Sequence, residues 1–166
     1  FLEEFDDISV GIPAGWDTIQ RSSNRDGSST SWFVGNISFI PSYHGSGYIA
    51  ANFENTSTTG TGTISNWLIS PVRILNNGDV IVFNTIGPPT STFPDRMQVR
   101  VSQSGASSNV GVSETSVGDF SMLLTDINPT YLPTGTGAGG YPNTWTRFAL
   151  TLSGLPASPG VSGRFA

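Results

Sequence analysis

The chain lacks cysteine altogether, which excludes a disulfide framework and any thiolate metal site. Lysine is also absent, so the seven basic residues are all arginine: Arg21, Arg25, Arg73, Arg96, Arg100, Arg147 and Arg164. They form no basic stripe, and the formal net charge is −5, which argues against nucleic acid or an anionic membrane surface as partner. No run approaches the roughly 20 apolar residues of a membrane span. Charged residues make up only 11% of the 166 positions, well under the usual quarter or so. Helical periodicity is scarce as well. Phe1 is not an initiator methionine, which leaves two readings open: a trimmed chain, or a mature product whose export signal has been removed.

What is present is core material in short pieces. Four Trp, ten Phe and many Val and Ile alternate or cluster over a few positions, punctuated by Gly, Pro, Asn and Ser. A disordered chain would combine low hydrophobicity with high net charge, and this one does not. Strands are expected at residues 1–5, 16–21, 32–35, 48–52, 66–69, 80–86, 97–102, 120–124, 144–152 and 161–166. Asn76-Asn-Gly-Asp79 reads as a turn into Val80. In 97–101 the alternation is clean, with Met97, Val99 and Val101 on one face and Gln98 and Arg100 on the other, the pattern of a half-buried antiparallel strand. The length suits a single domain over 1–166, and such strand spacing predicts an all-β, antiparallel two-sheet β-sandwich of jelly-roll type. Residues 55–63 and 134–140 are Thr/Gly-rich and expected to be exposed loops, and 125–141 a long excursion at one end.

Several features recur in a telling order. Glu4-Phe-Asp-Asp7 is followed by Ile12-Pro-Ala-Gly-Trp16, Ser31-Trp-Phe33, Tyr48-Ile-Ala-Ala-Asn52 and Ser65-Asn-Trp-Leu-Ile-Ser-Pro71. Then come Leu75, Gly78-Asp79, Val82-Phe83, Arg96, Val99-Arg-Val101, Trp145, Phe148 and Leu152. The series resembles the cleaved-adhesin or choice-of-anchor J domain of bacterial secreted and surface proteins, a MAM-like jelly roll. The resemblance implies an exported, extracellular or cell-surface module for adhesion or attachment, with no catalytic residues to transfer. Its expected partners are glycans or a cell-surface or matrix protein. Family members continue beyond a strand like 161–166 into one more strand. This chain is therefore expected to lack its closing C-terminal strand and to leave an open sheet edge beside residues 1–5 and 161–166. Such an edge would permit self-association, or a fibre completed by strand donation.

Candidate sites are few. Glu3, Glu4, Asp6 and Asp7 flank Phe5; in a strand Glu4 and Asp6 would share a face opposite Phe5. Close carboxylates repel unless neutralised, and Ca²⁺ takes about six to eight oxygen ligands. Glu4 and Asp6 with Asn24 and Asp26, the latter two from the loop 22–27, form a candidate structural Ca²⁺ site, although the spacing is not that of an EF-hand. The alternative is a solvated acidic edge. The single histidine, His44, neighbours Ser46 but lacks a Gly-x-Ser-x-Gly elbow, and reads as a loop residue. Asp95, Glu114, Asp119 and Asp126 could in principle pair for glycoside chemistry, but read better as turn or capping acids. Trp16, Trp32 and Trp67 read as core. Tyr43, Tyr131, Tyr141 and Trp145 lie near Gly/Pro loops and are the candidates for an exposed ligand-binding surface, in which a carbohydrate-binding accessory role is the alternative reading. Asn36-Ile-Ser38 and Asn55-Thr-Ser57 match the glycosylation sequon, a match expected by chance in so Asn- and Ser-rich a chain.

Overall fold

A computed structural model describes all residues except 27–29, 58–60, 90, 92 and 158. Among the described residues the fold is all-β, with ten strands and one 3-10 turn, Phe53–Asn55. The strands are β1 (Asp17–Gln20), β2 (Phe33–Val34), β3 (Ile49–Ala50), β4 (Asn66–Ile69) and β5 (Arg73–Leu75), then β6 (Val80–Thr85), β7 (Met97–Ser102), β8 (Met122–Ile127), β9 (Thr146–Thr151) and β10 (Val161–Phe165). All pairings are antiparallel. One sheet runs β5-β10-β7-β8; β1 pairs with β4, β2 with β3 and β6 with β9. The result is a β-sandwich.

The core lies between these layers. Leu75 of β5, Val101 of β7, Leu152 and Leu155 are buried together, with Ile81 of β6, Met122 and Leu124 of β8, and Phe165 of β10 packed against them. On β6 and β9, Ile81 faces Leu150 and Phe83 faces Phe148 across the ladder, the two Phe rings stacked at 5.2 Å and 9°. A second cluster gathers Ile69, Val110 and Phe120, with Ile19 and Trp67 packed against it.

The alternation read in 97–101 holds, since Val99 and Val101 are buried while Gln98 and Arg100 hydrogen-bond to each other on the opposite face. Opposite them β8 carries an extra residue, because Val99 pairs with Thr125 and Arg100 with Leu123. A bulge of this kind bends the strand and re-aims its side chains. The turn before β6 also forms as expected: Asn76 N–H donates to the Asp79 carboxylate at 2.8 Å, and Gly78 sits at φ +93°.

Three expectations fail. Residues 1–5 form no strand: Phe5 has φ +52°, outside the strand region, so Glu4 and Asp6 are not set by strand alternation. The last strand is not an open edge, because β10 lies between β5 and β7 and pairs with both. Its far end also meets the bend after β4, where Ser70 N–H donates to Phe165 O at 2.8 Å. Finally, β5 was not foreseen, and β8 begins at Met122 because Phe120, fully buried, sits in the turn before it. The expected loop 55–63 lies partly outside the described residues, as does Gly27 of the loop 22–27.

Candidate recognition surface

The N-terminal segment docks on residues 44–47. His44 Nδ1 lies 2.7 Å from Glu4 Oε1, and the N–H groups of Ser46 and Gly47 donate to Asp6 Oδ1 at 2.8 and 3.3 Å. Two glycines permit this approach: a Cβ on Gly45 would strike the Asp6 carboxylate, and one on Gly47 would strike its backbone oxygen. The same segment packs aromatically at its other end. Phe1 and Phe5 lie 6.2 and 5.0 Å from Trp16, Trp16 meets Phe165 edge-on, and the Arg73 guanidinium sits 4.1 Å over Phe1. Trp67 packs on Phe120 at 5.5 Å, so Trp16 and Trp67 are packing residues, as expected.

The same contacts place the residues expected as calcium ligands. An open depression of about 360 Å³ is lined by Leu2, Glu3, Glu4, Phe5, Asp6 and Asp7. Its carboxylates are nevertheless directed elsewhere: Glu3 to the Phe5 N–H, Glu4 to His44, Asp6 to the N–H groups of 46 and 47, and Asp7 to Ser9, whose hydroxyl and N–H hold it below the usual carboxylate range. Asn24 donates to Thr61 O and Asp26 accepts from Ser57, so the structure brings neither into that set. Among the described residues no three His, Asp or Glu side chains gather as a metal cluster. Glu4 and Asp6 thus meet residues 44–47, whereas Asn24 and Asp26 meet Thr61 and Ser57.

The four aromatic candidates separate into three places. Tyr43 and Trp145 meet, at 6.1 Å between ring centres, and Tyr48 completes the group edge-on to Trp145 at 5.6 Å. Sequence reading missed Tyr48; only its position on the far side of the 36–47 loop reveals it. The group fixes that loop at several points. Trp145 Nε1–H donates to Pro41 O at 2.8 Å, Tyr48 O–H to Asn36 O at 3.1 Å, and Gly35 N–H to Tyr48 O at 2.8 Å. Burial raises the Tyr48 phenol pKa. Between these anchors Ile40 is buried, while Ile37, Phe39 and Tyr43 each expose more than half their surface.

Tyr141 corrects the expectation of exposure: it is only 7% accessible, its ring close to Gly87 and its hydroxyl 2.7 Å from Thr85 Oγ1 of β6 and 3.8 Å from Met97 Sδ of β7. Burial pushes its pKa up to about 12. Tyr131 lies elsewhere, beside Arg96, whose guanidinium is 5.5 Å from the Tyr131 ring centre. Arg96 binds Asp126 through Nε at 2.8 Å and Nη2 at 2.5 Å, and Gln98 Nε2–H donates to the same carboxylate at 2.8 Å. These hydrogen bonds, from Arg96 above all, hold the Asp126 carboxyl below its ordinary range and raise the Arg96 guanidinium.

Asp119 and Asp95 lie apart from this group. Asp119 accepts from Ser107 and Asn109, and the Asp95 carboxyl lies against Gly87. Of the two sequons, Asn36 is exposed, whereas Asn55 is fully buried and clamped by Thr30 O and the Asn52 N–H.

Two solved structures resemble this fold over nearly its whole length. The K1 cleaved adhesin domain of Lys-gingipain from Porphyromonas gingivalis W83 is 22% identical, with a TM-score of 0.60 over 98% of this chain and 84% of that one. The K3 cleaved adhesin domain of the same protein is 20% identical, with a TM-score of 0.54 over 96% of this chain and 85% of that one. No protein-family model matches, nor does any curated protein. At such identities the likeness is one of fold, and it agrees with the family resemblance read from the ordered motifs.

Proposed function

We propose that this chain, which carries the fold of the cleaved adhesin domains, is a non-catalytic extracellular adhesion or attachment module whose contact surface is the loop 36–48. One observation carries this reading: a loop fixed by Trp145, Tyr48 and the Glu4–His44 contact that nevertheless exposes Ile37, Phe39 and Tyr43. Large apolar side chains held out on a pinned loop lose little conformational entropy on binding, which is the advantage of preorganisation. Aromatic residues at such positions supply most of the energy of many interfaces. Function on end loops of a rigid sandwich is the general pattern. The positions of the single histidine and of the acids fit the same reading, since each of His44, Asp119 and Asp126 serves a structural contact.

The test is adhesion of the protein to immobilised extracellular matrix and to intact cells, compared with a Phe39→Ser/Tyr43→Ser variant. Loss of adhesion with an unchanged circular dichroism spectrum is the expected result. Equal adhesion by the variant would remove the loop from the function, and absence of adhesion by the wild-type chain would remove the function itself.

A further inference from the structure

A second surface, using none of the residues 36–48, is built on the outward face of β7 and β8. Arg96, just before β7, and Gln98 and Arg100 on β7 lie at alternate positions and are joined in one hydrogen-bonded row. Asp126 takes Arg96 and Gln98, and Arg100 Nε–H donates to Gln98 Oε1 at 2.8 Å. A depression of about 280 Å³ adjoins the row, lined by Asp126, Pro129, Gly139, Gly140 and Phe148 among others. β8 is the edge strand of its sheet, so the depression opens beside unpaired backbone.

Tyr131 stands at the end of this row, and its placement is costly. Both Asn128 and Tyr131 are non-glycine residues at positive φ, +59° and +55°. Such conformations cost on the order of 1–3 kcal/mol each and persist only where the surroundings over-determine them. Here Asn128 does so: buried, it donates to Asp95 O at 2.7 Å and Leu132 O at 2.8 Å, and accepts from the Leu132 N–H at 2.8 Å. The consequence is a half-exposed phenol ring held against Arg96.

We infer that this face is a binding site for an acidic oligosaccharide. The chemistry of the row matches a sugar. A carboxylate accepts from hydroxyls, a guanidinium donates to them and an amide does both, while an exposed tyrosine ring offers a flat apolar surface to the C–H face of a pyranose. Donor and acceptor capacity remains, since Asp126 Oδ1 takes a single hydrogen bond and Arg100 Nη2 has no partner among the described residues. The acidic preference follows from charge. Two guanidinium groups face one carboxylate here, because Asp95 turns toward Gly87 and Tyr141, in a chain whose net charge is −5. Of the two, Arg100 has no carboxylate hydrogen-bonded to it among the described residues, and a guanidinium recognises a carboxylate well.

Calorimetric titration with an oligogalacturonate and with a neutral cello-oligosaccharide of equal length tests the inference. The uronate is expected to bind, and the neutral chain at least tenfold more weakly. Tyr131→Ala, which removes an exposed ring, should weaken uronate binding tenfold or more with an unchanged far-ultraviolet circular dichroism spectrum. Arg100→Gln should remove the preference for the uronate. No binding of the uronate, equal binding of the two, or binding indifferent to Tyr131→Ala would each overturn the proposal. Adhesion through the 36–48 loop would stand or fall separately, because Phe39→Ser/Tyr43→Ser leaves this row intact.

Discussion

Arg164 and Asp17 lie 147 residues apart in the chain and form an ion pair at 2.6 Å whose guanidinium side is 6% exposed and whose carboxylate side is 49% exposed. The rest of the guanidinium is spent on main-chain carbonyls: Nε–H donates to Ser70 O at 2.5 Å and Nη2–H to Gly15 O at 2.9 Å. One side chain on β10 thus ties the turn before β1 to the bend between β4 and β5. The two partners should not be equivalent. Arg164→Ala strands the buried Ser70 carbonyl and removes the bonds to Gly15 O and Asp17, and is expected to cost about 2–4 kcal/mol. Asp17→Asn keeps an acceptor oxygen but leaves the buried guanidinium without its counter-ion, at about 1–2 kcal/mol because the lost charge is half exposed. Urea denaturation of both variants checks the order, which a larger loss for Asp17→Asn would reverse.

The docking of the N-terminal segment depends on the absence of a side chain at residue 47, where a Cβ would strike the Asp6 backbone oxygen. Gly47→Ala should therefore lower stability by about 1–3 kcal/mol, the usual cost of forced overpacking. It should also release residues 1–7 to limited proteolysis. A variant as protease-resistant as the parent would show that the segment is held by its aromatic end, Phe1 and Phe5 on Trp16, alone.

Asp126 gives the fold an acid-sensitive element. Its folded-state pKa lies below the unfolded one, chiefly through its hydrogen bonds from Arg96. As pH falls, the unfolded chain takes up this proton first. The stabilisation is therefore fully present above the ordinary aspartate range of about 4 and is lost as pH drops through the lower folded value. Asp126→Asn should flatten that acid limb in thermal melts at low pH. An acid limb identical to that of the parent would show that Asp126 does not contribute to it.

Tyr141 acts at the other end of the scale. Burial raises its pKa to about 12, so the phenol stays neutral in the folded state when the unfolded chain has already ionised near about 10. Its contribution is complete below about 10 and disappears as pH rises toward about 12. Tyr141→Phe should retain stability across that window while losing the Thr85 hydrogen bond at neutral pH. Spectrophotometric titration should show the late-ionising tyrosine missing in the variant. An unchanged titration curve would place the perturbed phenol elsewhere.

Core positions with strict alternation were legible in advance. β4 and β7 fall on the expected residues, because a run such as Met97–Ser102 can bury one face only as a strand. Phe120 misled by its hydrophobicity: it is a core residue held in a turn, where its N–H bonds Val117 O at 2.9 Å, and the strand follows it. β5 escaped notice because it has three residues and its pairing partner, β10, lies at the other end of the chain. The acidic start escaped for a related reason. Its apolar and acidic residues look like strand alternation, yet the contacts that fix it come from residues 44–47.

Of the expected recognition residues, Tyr43 and Trp145 do meet, but Tyr48, which joins them, carries no local mark that separates it from a strand residue. The proximity of Tyr141 to Gly and Pro suggested a surface loop, and the chain instead turns its ring inward between β6 and β7.

The order of apolar and polar residues along each short run, with Gly and Pro between, determined by itself that this protein is an antiparallel β-sandwich, because side-chain direction alternates by covalent geometry wherever the backbone is extended. Only the tertiary structure decided which polar side chain meets which, that Glu4 answers His44, Asp126 answers Arg96 and Asp17 answers Arg164. Those pairings span 40, 30 and 147 residues. A polar side chain's local sequence fixes the face it occupies, and the partner it finds there is set by strands brought alongside from elsewhere in the chain.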